Sequence, residues 1–401
     1  MSTNKSNKLV KHTMPYMLFL VCFVSGQLYA GESSEDTGFF YGITSTYFYD
    51  DNLSRDNQLT LDAYALVLRP YIGAGWRTKK GTFNLQLVNE TAKYEQSSDD
   101  NYSDSELSFS ANYLFTSRHA LDFDAALTQG HDDRGTVFAT GNGASQTQVD
   151  TYSSNSSDIS YTYGRNDAAG QLIFNYSWDK IDYDARLDND GTDRTLIRDR
   201  RDQGFDLIFE YQLTAKTDLI ANYSEIDRKY DVETSFGSQS SALLFGLSWE
   251  ATAKTSGRVL FGEQTTESTT GNQSFDNTVW EAEVEWSPRT YSTLILTSGR
   301  SASPSFGIGN STDLSTTSVE WIHEWTSRIS TSATITKQSE DFLGTDIGLD
   351  TDIYTVGVNY SLTDNISLEC SYESYDRQSN NNLEQFVYDR SITSLVVTIA
   401  Y

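Results

Sequence analysis

The sequence predicts an all-β fold: a single transmembrane antiparallel up-and-down β-barrel of about 18 strands, within 16–18, with short periplasmic turns and long extracellular loops. Three observations predict it. Apolar and polar residues alternate with a period of two along many short stretches. Tight turns and long polar loops take turns between those stretches. The body of the chain also lacks any apolar run long enough for a membrane-spanning helix.

The chain opens with Lys5, Lys8 and Lys11, an apolar run "MPYMLFLVCFVSG" and a small residue, Ala30. A basic stretch, a short apolar stretch and a small residue make a secretory signal peptide over 1–30, leaving 31–401 as the barrel. The run is too short for a comfortable membrane anchor. Cys22 lacks the small residues before it that a lipoprotein site needs. Beyond the signal peptide only Cys370 remains, so no internal disulfide is expected.

The last stretch, "SITSLVVTIAY", sets Thr393, Leu395, Val397, Ile399 and Tyr401 on one face and Ser394, Val396, Thr398 and Ala400 on the other. That period defines a strand. "VWEAEVEW" places Trp280, Ala282, Val284 and Trp286 opposite Glu281, Glu283 and Glu285. "GFDLIFEYQL" alternates Phe205, Leu207, Phe209, Tyr211 and Leu213 with Asp206 and Glu210. "ELSFSANYLF" does the same with Leu107, Phe109, Ala111, Tyr113 and Phe115.

Short turns are expected near Lys79, Ser117, Asn166, Ala215, Ala253, Pro288, Ser327 and Asp364. Between them lie longer loops such as "DDRGTVFATGNGASQTQVD". Eight turns join sixteen strands, and "GFFYGITSTYFY" and "SITSLVVTIAY" add one at each end, giving 18. Closure follows, because hydrocarbon tolerates no unpaired strand edge. Pro288 is read into a turn and Pro304 into a loop, so that only Pro70 interrupts a strand. Trp76, Trp249, Trp286 and Trp325 each precede a short turn, where a periplasmic aromatic girdle belongs. Tyr401, with Ile399, Val397 and Leu395 at alternate positions before it, reads as the terminal signal of the outer-membrane assembly machinery.

Charge excludes some functions. The net charge is −27, and about −30 once the three leader lysines are removed, which would repel a phosphate backbone, so no nucleic-acid partner is expected. Inward parity collects Glu281, Glu283, Glu285, Glu320, Glu324, Glu369 and Glu373 with Arg69, Arg258, Arg377 and Arg390. Such a wall suits a water-filled path for neutral sugars or cations better than for small anions. The same charges also fit a plainer reading, pairing across strands to stiffen the wall. The acidic stretch "EQSSDDNYSDSE" reads as a solvated face, or as a site for divalent cations shared with lipopolysaccharide. No loop has EF-hand spacing, and no metal or cofactor is implied. Catalysis would need a base and nucleophile at the rim. Only His131, beside Asp132 and Asp133, sits at an outer strand end, and the chain is read as not an enzyme.

Several stretches carry a resemblance: "YFYDDNLSRDNQ", then "LRPYIGAGWR", "FTSRHALDFDAALTQGHDDRGT", "WSPRTYSTL" and "YSLTDNISLECSYESYDR". The chain resembles the β-barrel porins found in Gram-negative exopolysaccharide and capsule operons. Its more specific motif positions are Asp50, Asp51 and Asn52, and His131 with Arg134. The resemblance implies an outer-membrane channel that assists export or passage of polysaccharide. Its partners would be outer-membrane lipids, lipopolysaccharide, the assembly machinery and polysaccharide export proteins. A general diffusion porin and an adhesive or structural barrel acting through its loops stay open as alternatives.

Overall fold

The computed structural model describes residues 37–165, 168–187, 193–232, 236–252, 254–269, 274–304, 308–309, 311–381 and 383–401. The expected signal peptide, and the expected turn residues Asn166 and Ala253, lie outside them. Eighteen strands follow one another: β1 (Gly38–Asp50), β2 (Ala63–Arg77), β3 (Gly81–Tyr94), β4 (Tyr102–Thr116), β5 (His119–Asp132), β6 (Asp150–Tyr163), β7 (Gly170–Tyr183), β8 (Arg200–Thr214) and β9 (Thr217–Tyr230). The second half comprises β10 (Ser238–Thr252), β11 (Thr255–Ser268), β12 (Ser274–Arg289), β13 (Ser292–Pro304), β14 (Ser311–Glu324), β15 (Ile329–Leu343), β16 (Ile347–Thr363), β17 (Ile366–Ser379) and β18 (Tyr388–Ala400). Each pairs antiparallel with the next, and β1 pairs with β18, so the sheet closes on itself. Among the described residues no helix is long and apolar enough to cross a membrane.

Alternation fixes which face each residue takes. On β10 and β11, Phe245 and Phe261 are 58% and 59% exposed on the outside, while their neighbours Leu244 and Leu260 are 1% and 0% exposed inside. The barrel is therefore apolar outside, as lipid requires. Short turns link β2–β3, β4–β5, β8–β9, β12–β13, β14–β15 and β16–β17 at one end, and both described chain ends lie there. Tyr41 and Tyr401 exchange two backbone hydrogen bonds of 2.8 Å, and their rings stack at 5.6 Å. Trp76, Trp286 and Trp325 are outward and exposed just before short turns. Trp321, His323 and Trp325 form an outward cluster, with the His323 and Trp325 rings 4.2 Å apart.

Two proline readings are corrected. Pro288 is inside β12, whose pairing with β13 shifts register between Trp286 and Arg289, and the turn falls two residues later. A bulge needs no ladder donor at every residue, so proline fits there. Pro304 is the last residue of β13 rather than part of a loop.

Candidate functional site: the lumen and its outer mouth

The inner wall is built by parity. Glu281, Glu283 and Glu285 share the inward face of β12, Glu320 and Glu324 that of β14, and Glu369 and Glu373 that of β17. Across the ladder Glu283 stands opposite Arg258, and Glu281 opposite Leu260. Three other predicted arginines are engaged elsewhere. Arg69 lies 3.6 Å from Glu90. Arg377 pairs with Glu340, and Arg390 with Asp50. The structure thus lines three strands with glutamates, sets Arg258 in register with Glu283, and holds Arg69, Arg377 and Arg390 each against another acid.

A richer polar row escaped the sequence reading. Asn112, Asp122, Ser160, Asn175, Asp206 and Ser224 face one another in direct register from β4 to β9, all pointing inward. One step along, Asp124 is directly opposite Asp158. Like charges so placed repel, and the wall keeps them despite that cost. The signal was present in "LDFDAAL", where Asp122 and Asp124 alternate with Leu121, Phe123 and Ala125.

The outer mouth is organised by buried ion pairs. Asp50, fully buried at the end of β1, accepts Arg390 Nε at 3.0 Å and Nη2 at 2.5 Å. Asp51 accepts the backbone N–H and the Oγ–H of Ser391, both at 2.6 Å. Asn52 Nδ2 donates to the carbonyls of Asp389 at 2.7 Å and Asp56 at 2.9 Å. The Asp50–Asp51–Asn52 motif is therefore a clamp across the closing seam between the first and last strands.

The β5–β6 loop is folded into this clamp. Arg134 Nε lies 2.8 Å from Asp100, and both side chains are buried. Arg134 Nη1 donates to the Gly143 carbonyl at 3.0 Å. Arg55 donates to the Arg134 carbonyl and lies 3.4 Å from Asp133. A Cβ on Gly143 would sit 2.1 Å from the Ser54 carbonyl oxygen, so only glycine allows this approach. His131 Nδ1 is 2.8 Å from Asp104, its Nε2 is 3.4 Å from Asp133, and its ring stacks on Tyr102 at 3.8 Å. Both ring nitrogens are thus engaged by carboxylates. The acidic stretch expected to be solvated instead supplies Asp100 and Asp104 to Arg134 and His131. Burial alone would raise the Asp133 carboxyl; the His131 hydrogen bond and the Arg55 charge outweigh it and hold it near 2.

The same loop reaches further. Asp132 accepts the Tyr183 hydroxyl at 2.9 Å, and Asp150 holds Arg186 at 2.5 Å and Arg198 at 2.6 Å. Gly141 lies against Phe386, with space for no side chain there. Phe386 packs with Phe342 and Leu349, with Ile308 beside them. Loops from opposite arcs are thereby joined over the mouth. Among the described residues no group of three His, Cys, Asp or Glu is arranged to hold a metal.

A sequence profile described as "Putative beta-barrel porin 2" matches residues 40–401. The chain belongs to this β-barrel porin family. It is an outer-membrane barrel of the porin type, a channel class without enzymatic activity, in the Gram-negative cell envelope. Among solved structures, OccAB3 of Acinetobacter baumannii is 12% identical, with 91% of this chain and 99% of that chain covered and a TM-score of 0.50. The outer membrane protein opdK from Pseudomonas aeruginosa is 11% identical, with 90% and 98% covered and a TM-score of 0.49. The siderophore receptor PirA from Acinetobacter baumannii is 7% identical, with 91% and 81% covered and a TM-score of 0.48. These likenesses concern the fold. No curated protein matches the sequence.

Proposed function

We propose that this porin-family barrel passes saccharide chains across the outer membrane and serves polysaccharide export. The observation that carries this reading is the inward row from Asn112 to Ser224, six small polar side chains in register on six adjacent strands. Amides, hydroxyls and carboxylates so placed replace the hydration of sugar hydroxyls, step by step, along a path. Barrels of about this strand number leave an aqueous lumen. The acidic excess favours neutral sugars and cations. On this reading, residues 1–30 direct export of the chain, and Tyr401, Ile399, Val397 and Leu395 address it to the assembly machinery. The Asp50–Asp51–Asn52 clamp and the His131 and Arg134 contacts hold the mouth, and polysaccharide export proteins are the periplasmic partners.

The test uses the purified barrel in a planar bilayer. It should conduct with a cation preference, and maltooligosaccharides should interrupt the current. Ser160→Leu with Asn175→Leu should shorten those interruptions several-fold while ion current persists. A deletion strain should hold polysaccharide in the periplasm. Absent conductance together with unchanged surface polysaccharide would remove the reading and leave a barrel acting through its loops.

A further inference from the structure

The turns at the periplasmic end share a pattern that alternation along the strands does not require. Thr78, Thr116, Thr214, Thr252 and Thr326 are each followed two residues later by a cation: Lys80, Arg118, Lys216, Lys254 and Arg328. In each turn the threonine Oγ1 accepts the backbone N–H of the cationic residue, at 3.1–3.3 Å. The hydroxyl fixes the turn, so the cation takes the same place every time. All five cations are exposed.

The lysines reach sideways to the next hairpin. Lys80 Nζ donates to the Phe115 carbonyl at 3.0 Å, Lys216 Nζ to that of Ala251 at 2.8 Å and Lys254 Nζ to that of Pro288 at 3.1 Å. This tie does not need charge. A sixth turn places Asn365 after Thr363 in the same geometry, and its neutral Nδ2 donates to the Ala400 carbonyl at 2.7 Å. An ammonium has three donors and a carbonyl takes one, so each lysine keeps its charge and two donors for something else.

The wall does not use them. Lys180, Lys229 and Lys337, higher on the strands, each stand against an aspartate, whereas among the described residues no carboxylate is paired with Lys80, Lys216 or Lys254. Carboxylates at the level of the rim, Asp218, Glu250, Glu285 and Glu324, take the inward parity, and Asp364 is the one acid at the described turn tips. Outward, directly above the cations, stand the exposed rings of Trp76, Phe115, Trp286 and Trp325. The outer loops are the reverse, with acids such as Asp62, Glu95 and Asp184 and no lysine among the described residues. Cations just beyond an aromatic girdle lie at the depth of lipid phosphates.

We propose that the periplasmic rim is a ring of equivalent sites for anionic phospholipid, in which each turn cation holds a phosphodiester of the periplasmic leaflet. Repetition decides between partners. One cation per turn, in one geometry, fits many copies of one small head group, whereas a protein partner reads an uneven surface. The ring stands apart from saccharide passage along the lumen.

The test reads the tryptophans of the girdle in the full barrel, reconstituted in mixed phosphatidylglycerol and phosphatidylcholine. One lipid or the other carries brominated chains, which quench tryptophan on contact. In the native barrel phosphatidylglycerol should quench as though enriched roughly fivefold, the gain of one cation near a lipid surface. Lys80→Gln, Arg118→Gln, Lys216→Gln, Lys254→Gln and Arg328→Gln together keep an amide for each tie and should bring the two lipids to near parity. Lys80→Arg, Lys216→Arg and Lys254→Arg together should keep the preference. It should shrink in 1 M salt, where charges are screened within roughly 3 Å. Soluble glycerophosphoglycerol should not displace the lipid, which separates a membrane lipid from a free phosphodiester. Equal quenching by both lipids in the native barrel would overturn the proposal and leave the ring to an acidic periplasmic protein. A native preference untouched by salt, or kept in full by the glutamine variant, would overturn it as well.

Discussion

The two ends of the barrel are held by different physics. At the periplasmic end, tight turns and aromatic side chains suffice: Trp76 stacks on Phe83 at 5.4 Å, and Tyr41 on Tyr401. Partners there lie on the same hairpin, the next one or the adjoining terminus, as when Lys80 Nζ donates to the Phe115 carbonyl at 3.0 Å. At the outer end, charges are buried and matched over long separations, as Asp50 and Arg390 are, 340 residues apart. Loops from the β1–β2, β3–β4, β5–β6, β7–β8 and β17–β18 hairpins share one ionic and aromatic lattice. Short turns and nearby aromatic contacts close the inner end, whereas the outer end, with long loops, must be tied.

Breaking a tie should therefore cost more than removing an aromatic. The largest effect is expected for Arg390→Ala, which strands a buried carboxylate and should lose about 3–5 kcal/mol in urea unfolding. Asp50→Asn with Arg390→Met should lose clearly less, because no unpaired charge remains. A double variant as unstable as the single one would count against the clamp. Next comes Gly143→Ala, whose Cβ would collide with the Ser54 carbonyl. It should cost about 1–3 kcal/mol and expose the β5–β6 loop to protease. At the periplasmic end, Trp76→Leu should cost roughly 1 kcal/mol and leave the loops protected.

The pH dependence is the smallest effect and has a definite sign. Asp133 titrates near 2, below the ordinary value of 3.8. Its pairing is at full strength above that ordinary value and is lost as pH falls through about 4 towards 2. Loop protection against an acid-stable protease should hold or rise slightly from neutral pH to about 5, where the raised His131 and Asp132 take up protons, and fall only below about 4. A decline already at pH 6 would mean that another group governs the mouth.

Legibility in the sequence follows the same division. Strand number, closure, the outward aromatics and most short turns could be read locally, since alternation and turn chemistry act between neighbours. Pro288 misled because a bulge lets β12 run through it. The acidic stretch misled because composition says nothing about a distant partner: Asp100 and Asp104 meet Arg134 and His131 only after the barrel closes. Arg377 and Arg390 were set inward without partners, and their acids, Glu340 and Asp50, lie on other strands. Asp122 and Asp124 were readable by the very rule that found Glu281, and were passed over.

The central claim is that this is a channel whose outer mouth is held by buried ion pairs. Its most direct test is single-channel conductance of the intact barrel against an Arg55→Ala, Arg134→Ala variant, which frees the β5–β6 loop and leaves the inner acids in place. Conductance should be several-fold higher in the variant, with cation preference retained and the native protein gaining the same conductance when the loop is clipped by protease. Equal conductance in the native, variant and clipped proteins would contradict it.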